Sequence, residues 1–343
     1  MSHHLSKPIL AIESSCDEMA AAVMTEGRLV SEVVASQAIH TEYGGVVPEF
    51  AARAHQVQII PVVNQALQKA KIQPKDLGSI AVTQGPGLLG SLLVGNSFAK
   101  GMSLGLNIPL LGIHHLQAHL LANFLEKPHP TFPFLGLIIS GGHTQLIRAE
   151  RAYQLYLLGS TEDDAVGEAF DKIAKTMGIP YPGGKQLDDY ALQGHAERFS
   201  FPVTVMPGYQ FSFSGIKTAF RYLIEKESKE NSNFVTDHLY DLCASVQATL
   251  VKMIIIKVEK ALIDTKLSTL VIGGGVGNNR AIRVALRKLA KQYNIKLFFP
   301  AHHHTTDNAA MIAMTAHFAW QQGHTAFDFG PMPRMELPLI TSK

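Results

Sequence analysis

Short apolar runs alternate with longer amphipathic stretches along most of the chain. Three apolar runs, at 9–13, 20–24 and 29–36, open the sequence and are separated by polar or glycine-containing turns, which predicts a β-meander. Apolar residues then recur at helical spacing over 48–70, with Pro48 in the first turn, and predict a long helix. Strand-like and helix-like segments alternate after it, a pattern typical of α/β folds.

The same plan begins again after the proline-flanked segment EKPHPTFPF (126–134). A second meander is predicted there, with the glycine-rich turn SGGHT (140–144) between two of its strands, and helices follow, the first over about 163–177. No close sequence repeat is visible, but the repeated plan predicts two related α/β lobes with a cleft between them. We expect an N-terminal lobe at 7–130, joined by the final helix and tail at 307–337, and a C-terminal lobe at 131–306.

The composition supports large hydrophobic cores. Hydrophobic residues make up 46% of the 343 residues and charged residues 17%, and the mean hydropathy is +0.10. The apolar segment at 251–263 is interrupted by three lysines and falls short of the roughly 18–20 apolar residues that a membrane span needs, so a buried amphipathic helix is predicted. The N-terminus has no basic region leading into a long apolar stretch, so we expect no signal peptide and no membrane association.

Cysteine usage and charge restrict the cellular setting. Cys16 and Cys243 are too few for a disulfide framework, so reduced thiols in the cytoplasm are expected. A net charge of +2 neither requires nor excludes a nucleic-acid partner, which would need a local basic patch. Two groups are candidates, although a solvated surface is the simpler interpretation of both: Arg280, Arg283, Arg287, Lys288 and Lys291, and then Lys217, Arg221 and Lys226.

A pair of histidines offers metal-binding chemistry. His115 and His119 are four residues apart in a helix predicted over 115–126, so both imidazoles would leave the same face of it. Asp307, at the start of the last predicted helix, could add the carboxylate of a two-histidine, one-carboxylate set, which suits Fe(II) and also Zn(II). The spacing alone also arises by chance in a chain with 16 histidines, and Leu116 stands where a zinc protease needs its glutamate.

Several glycine-rich or polar turns leave two interpretations open. GPGLLG (85–90) fits a dinucleotide-binding pattern, but the opening meander and the lack of an acidic residue after the next strand count against that fold. GGGVGNN (273–279) and the SGGHT turn are either phosphate-facing loops or plain turns. In ESSCDE, Asp17 and Glu18 either form a polar hairpin or point into the cleft.

Ten motifs, taken together, resemble those of one family over nearly the whole chain. In order they are IESSCDE, YGGVVPE, GPGLLGSLLVG, HHLQAH, SGGHTQL, GEAFDKIAK, YPGG, FSFSGIKT, GGGVGNN and TDNAAMIA. They resemble the TsaD family of tRNA threonylcarbamoyltransferases, formerly called O-sialoglycoprotein endopeptidases or glycoproteases. The resemblance implies an α/β fold with two actin-like, sugar-kinase-like lobes, each a mixed sheet with flanking helices around a central cleft.

The resemblance also implies an activity. It implies transfer of the threonylcarbamoyl group from threonylcarbamoyl-AMP to N6 of adenosine 37 in tRNAs that decode ANN codons, which forms t6A and releases AMP. It further implies a cytoplasmic enzyme with one divalent metal per subunit, Fe(II) or less favourably Zn(II), that binds tRNA and works with a TsaB-like paralogue and a TsaE-like ATPase. A small-molecule kinase of the same fold, a metalloprotease and a non-catalytic scaffold remain as alternatives.

Site residues follow from the resemblance motif by motif. The metal ligands fall on His115, His119 and Asp307. The implied donor-binding residues lie in the SGG turn and in the nucleotide-contacting motifs: Ile138, Ile139, Ser140, Gly141, Gly142, Asp171, Gly184, Asp188 and Asn279. Archaeal and eukaryotic members carry a metal-ligating tyrosine near the position of Ile138, so this chain resembles the bacterial branch.

The reaction requires a group that accepts a proton from the attacking amine. Asp17, Glu18 and His143 are the candidate bases. Each also has a structural interpretation, namely turn capping for the two acids and a hairpin hydrogen bond for the histidine.

Overall fold

The computed structural model describes residues 7–35, 43–323 and 329–337. Their strands are β1 (Ile9–Glu13), β2 (Met19–Thr25), β3 (Arg28–Ala35), β4 (Ser79–Gly85), β5 (Leu110–His114), β6 (Phe134–Ile139), β7 (Thr144–Arg151), β8 (Gln154–Ser160), β9 (Thr269–Gly273) and β10 (Lys296–Phe298). Their helices are α1 (Pro48–Ala70), α2 (Leu89–Leu106), α3 (His115–Leu121), α4 (Val166–Thr176), α5 (Gly183–Ala191), α6 (Ser214–Glu230), α7 (Phe234–Thr265), α8 (Arg280–Gln292) and α9 (Ala309–Gln321).

The described residues form two compact units, each built on one mixed sheet of five strands. The first unit takes its described residues from Met1–Pro130, Arg151–Leu155 and Pro300–Pro338. The second takes them from Thr131–Glu150 and Tyr156–Phe299.

The sheet of the first unit has the order β3-β2-β1-β4-β5. The opening strands β1, β2 and β3 are antiparallel, as the predicted meander requires, whereas β4 and β5 run parallel to β1. All five residues of β1 are buried, because α1 and α2 pack on the sheet and α9 packs against β1 and β2. The order brings the C-terminal ends of β1, β4 and β5 to one edge, where the parallel strands finish together.

The sheet of the second unit has the order β10-β9-β6-β7-β8. β6 lies at its centre, antiparallel to β7 and parallel to β9, and all six of its residues are buried. The long helix α7 supplies much of the core of this unit, so the buried helix predicted for 251–263 is confirmed. By length and composition α7 is also the one helix of the described chain that could cross a membrane, but 61% of its most apolar stretch is buried inside the unit.

Three helix boundaries differ from the pattern-based prediction. The helix predicted from residue 163 begins at Val166, because the carboxylates of Asp163 and Asp164 bind the start of α6 and two lysines instead of continuing a helix. The histidine helix ends at Leu121 and continues as a 3-10 turn, Ala122–Phe124. The last helix starts at Ala309.

Candidate metal centre and donor-binding loops

The histidine pair lies at the start of a short helix that follows a sheet strand directly. β5 ends at His114, whose Nδ1 accepts a hydrogen bond from the backbone of Gln117 at 3.4 Å and so caps α3. Helical spacing then places His115 and His119 on one face, with ring centroids 4.6 Å apart and ring planes at 80°. Both side chains are buried.

Asp307 lies beside both imidazoles. It precedes Asn308, whose side chain accepts a hydrogen bond from the backbone of Met311 at 2.9 Å and caps α9. Asp307 Oδ1 is 3.4 Å from His115 Nε2 and 3.1 Å from His119 Nε2. One donor atom from each of the three residues therefore lies within 4.8 Å of the other two.

The environment of His119 fits a bound cation. Neither ring nitrogen of this buried side chain makes a hydrogen bond within the described ranges, and the 3.1 Å approach of Nε2 to Asp307 lacks the alignment of one. A buried imidazole with no partner is costly, whereas coordination of a cation by Nε2 would satisfy it. Two neutral imidazoles and a carboxylate form a donor set suited to Fe(II) or Zn(II).

Glu13 orients the first of these imidazoles. It ends β1 and is fully buried, with Oε2 3.1 Å from His115 Nδ1. Thr83 Oγ1 donates to the same oxygen at 2.5 Å, and the backbone of Ser15 donates to Oε1 at 2.5 Å. A carboxylate on Nδ1 selects the tautomer that leaves Nε2 free as a ligand. Sequence reasoning missed Glu13, although an acidic residue ending an otherwise apolar strand was a usable signal.

The charges of this cluster are strongly coupled. Burial raises the pKa of Asp307, but the charge of His115 and the close approach of both imidazoles outweigh it and lower the pKa far below its usual range. Burial lowers the pKa of His115, but the charges of Asp307 and Glu13 outweigh this and raise it well above its usual value. A cation at the three donor atoms would compete with a proton for His115 Nε2.

The turn that carries two candidate bases lies between β1 and β2. Asp17 and Glu18 are both half-buried there. Burial and the negative charges of Asp307 and Asp17 raise the pKa of Glu18 to about 9.

The SGG turn closes the β6–β7 hairpin of the second unit. Ser140 N donates to His143 O at 2.9 Å, and His143 N donates to Ser140 Oγ at 3.1 Å, so both residues hold the turn. Gly141 and Gly142 are exposed, and a Cβ atom at either would meet nothing within 4 Å. Their open surroundings leave room for a ligand at the backbone.

Ile138 and Ile139 occupy the last positions of β6, and both side chains are fully buried. Ile138 pairs with Gln145 and Gly273, and Ile139 pairs with Thr144. Contact between these two residues and a ligand would therefore use main-chain atoms and not the side chains.

Two further loops pack closely against the end of β6. Gly274 has φ +92°, and a Cβ atom there would lie 2.4 Å from Ile139 O. A Cβ atom at Gly167, in the first turn of α4, would lie 2.5 Å from Ser140 O. Only glycine permits both approaches, so the GGGVGNN loop and the start of α4 lie beside the SGG turn.

The other residues implied to bind the donor already make hydrogen bonds within the second unit. Asp171 Oδ1 accepts hydrogen bonds from Gly183 N at 2.9 Å and Gly184 N at 3.0 Å, at the start of α5. Asp188 Oδ2 accepts from the backbone of Arg280 at 3.3 Å. Asn279 caps α8 by accepting from Ile282 N at 3.0 Å, and it donates to Gln247 at 3.1 Å. A ligand contact would be additional to these roles.

The two candidate basic patches differ in how far their charges are paired. In the α6 group, Lys217 binds Asp164 at 2.6 Å, and Arg221 and Lys226 are paired with Glu225 and Glu227. On α8, Arg280 binds Asp189 and Arg283 stacks 4.4 Å from the Phe299 ring centroid. Lys288 and Lys291 form no ion pair with any described residue, so α8 retains more free positive charge.

Comparison of the sequence with known families gives a match over most of the chain. The TsaD family profile, described as tRNA N6-adenosine threonylcarbamoyltransferase, matches residues 28–314. A relative of that name from Christiangramia forsetii is 52% identical over 90% of this chain and 92% of its own length. Another from Cytophaga hutchinsonii is 48% identical over 97% of both chains.

Solved structures at low sequence identity share the fold. HypF from T. kodakarensis superposes with a TM-score of 0.64 at 14% identity, over 93% of this chain and 49% of its own. Component A of the (R)-2-hydroxyglutaryl-CoA dehydratase of Acidaminococcus fermentans gives a TM-score of 0.53 at 16% identity, over 91% of this chain and 98% of its own. The predicted actin-like class, with a mixed sheet and flanking helices in each unit, is confirmed. By the family match and these relatives, the chain belongs to the tRNA N6-adenosine threonylcarbamoyltransferase family.

Proposed function

We propose that the chain transfers the threonylcarbamoyl group from threonylcarbamoyl-AMP to N6 of adenosine 37 in tRNAs that decode ANN codons. The membership of the chain in a family of tRNA-modifying transferases, over nearly its full length, carries this proposal. The grouping of His115, His119 and Asp307 supports it, since these are the residues expected to hold the metal. The same family match argues against the kinase, protease and scaffold alternatives, and Leu116 beside His115 offers no protease base.

The chemistry is an acyl-type substitution at an activated carbamate. The N6 lone pair forms a C–N bond to the carbamate carbonyl, the C–O bond to phosphate breaks, and AMP leaves with that electron pair. The amine is a poor nucleophile because its lone pair is delocalised into the adenine ring, so positioning of the two substrates supplies much of the rate.

The metal would be held by His115 Nε2, His119 Nε2 and the carboxylate of Asp307. Fe(II) is favoured and Zn(II) is the alternative. Such a cation would act as a Lewis acid toward oxygen atoms of the donor. Glu13 would keep His115 oriented and would hold the proton on its Nδ1.

The donor would be bound by main-chain groups and loop side chains of the second unit. Amides of Gly141 and Gly142 would stabilise negative charge on its phosphate, and Ser140 would contact the donor beside them. Asp171, Gly184, Asp188 and Asn279 would contact its nucleotide part, with the main chain of Ile138 and Ile139 beside them. Asp17 would accept the proton that leaves N6, with Glu18 and His143 as the other candidates.

Further partners complete the proposal. The cytoplasmic enzyme would act with a TsaB-like paralogue and a TsaE-like ATPase. To test the function, the chain is mixed with these two proteins, threonylcarbamoyl-AMP and unmodified tRNA, and the digested nucleosides are analysed by mass spectrometry. The expected product is t6A at position 37, and its absence from an otherwise complete mixture would contradict the proposal.

A further inference from the structure

A second cluster of metal-binding side chains lies outside the proposed metal centre in the first unit. One ligand atom from each of Glu126, His303 and His304 lies within 4.8 Å of the other two. His303 Nε2 is 3.9 Å from Glu126 Oε1, and the rings of His303 and His304 have centroids 4.0 Å apart. The cluster has the same composition as the first, two imidazoles and one carboxylate, but shares none of its residues.

His304 provides an independent indication of a ligand. Its side chain is 3% exposed, and its buried Nδ1 has no hydrogen-bond partner in the part of the chain that the structure describes. Glu32 Oε2 lies 3.8 Å from that nitrogen, which is too far for a hydrogen bond, so the buried nitrogen remains available to a cation.

The other two donors are able to move onto a cation. The side chains of His303 and Glu126 are 67% and 59% exposed. Metal–ligand bonds of about 2.0–2.2 Å place neighbouring donor atoms roughly 3.4 Å apart in a tetrahedral site, so rotation of these exposed side chains is enough to close the present spacing. Buried His304 would be the fixed ligand of such a site.

The two clusters join the same two segments of the chain. In the first, His115 and His119 on α3 face Asp307. In the second, Glu126 follows the 3-10 turn that continues α3, and His303 and His304 lie in the 3-10 turn His302–His304 shortly before Asp307. A cation at the second cluster would therefore tether the segment that carries Asp307 to the end of the histidine helix.

We propose that Glu126, His303 and His304 form a second, structural site for a divalent transition metal such as Zn(II). Imidazole and carboxylate ligands suit this class of ion, and the exposed side of the cluster gives it access from solvent. The bound ion fixes the 302–307 segment, and with it the position of Asp307, before any substrate is present.

Zinc stoichiometry of the full-length chain tests the site without any catalytic readout. The protein is stripped with a chelator, checked for folding by circular dichroism, titrated with Zn(II) alone, and analysed by mass spectrometry for bound metal. We expect the unaltered chain to bind about two equivalents of zinc tightly, and either His303→Gln or Glu126→Gln to bind about one. The zinc affinity of the second site should fall at least about tenfold in these two variants, as expected for loss of a ligand. His119→Ala should retain the second equivalent while losing the first.

His302→Gln is the matched control, because it removes a neighbouring histidine outside the cluster. This variant should bind as much zinc as the unaltered chain. The proposal is overturned if the unaltered chain binds a single equivalent that His119→Ala abolishes, or if His303→Gln and Glu126→Gln leave the stoichiometry unchanged. It is also overturned if His302→Gln lowers the stoichiometry equally, since that result would mean unspecific binding by the histidine run.

Discussion

Glu13 Oε2 lies 3.1 Å from His115 Nδ1, so a fully buried carboxylate from the central strand sets the orientation of the first proposed metal ligand. The contact depends on the sheet order, because β1 lies beside β4, β4 lies beside β5, and His115 follows β5 directly. The contact favours a proton on Nδ1, which would leave Nε2 for a metal.

Replacing Glu13 by glutamine should weaken metal binding by about 10–100-fold, because such supporting carboxylates contribute that much to affinity in metal sites. A competition titration with a chelator of known affinity measures the change. Glu26→Gln, in the turn between β2 and β3, is the control and should bind as the unaltered chain does. Equal affinities for the two variants would show that Glu13 does not support the site.

Gly274→Ala should destabilise the second unit by more than about 2 kcal/mol, since the added Cβ atom both strains a positive φ and meets Ile139 O at 2.4 Å. Gly208 also has a positive φ, but an added Cβ atom there would meet nothing within 4 Å, so Gly208→Ala should cost about 1 kcal/mol. Urea denaturation of both variants measures the difference. Similar losses of unfolding free energy in the two variants would mean that the GGGVGNN loop does not pack closely against the end of β6.

Asp164→Asn should lower the free energy of unfolding at pH 7 by about 1 kcal/mol, a figure reduced for solvent screening. Burial raises the pKa of Asp164, but hydrogen bonds from Lys172 and Lys217 outweigh it and lower the pKa. A lowered pKa stabilises the folded state above the unfolded value of about 3.9, and this contribution is lost as the pH falls through the folded pKa. The gap between variant and unaltered chain, followed by denaturation at several pH values, should therefore close below about pH 4. A difference in unfolding free energy that does not change with pH would contradict a stabilising role of ionised Asp164.

Lys288→Gln combined with Lys291→Gln should weaken tRNA binding and make its dependence on salt less steep. Removing one lysine that neutralises a phosphate changes the slope of log affinity against log salt by roughly 0.7–0.9, so the slope of the double variant should fall by between about one and two. Lys226→Gln, whose charge is already paired with Glu227 at 3.2 Å, is the control. An unchanged slope in the α8 variant would remove this helix from the tRNA surface.

The sequence predicts those parts of the site that depend on local spacing. His115 and His119 share a helix face because helical periodicity requires it, and the opening meander follows from its short apolar runs. Helix boundaries are less predictable where a side chain binds a segment distant in sequence. Asp163 fits the helical pattern, but its carboxylate accepts a hydrogen bond from Phe213 N at 2.8 Å.

Residues that act through long-range contacts could not be predicted from the sequence. Glu13 and Thr83 meet His115 only once three strands are in their final order. In the sequence, His303 and His304 look like part of a surface histidine run. Only the folded chain places Glu126 beside His303 and Glu32 beside His304. Neither set of contacts produces a periodic pattern in the sequence.

Metal content and t6A formation, measured together on His119→Ala, test the central claim most directly. The unaltered chain and His129→Ala, which changes an exposed histidine, are reconstituted anaerobically with Fe(II) alongside it. We predict that His119→Ala binds one metal ion fewer and forms t6A at least about 100-fold more slowly, while His129→Ala matches the unaltered chain in both. Full turnover by His119→Ala without the lost ion would contradict the account.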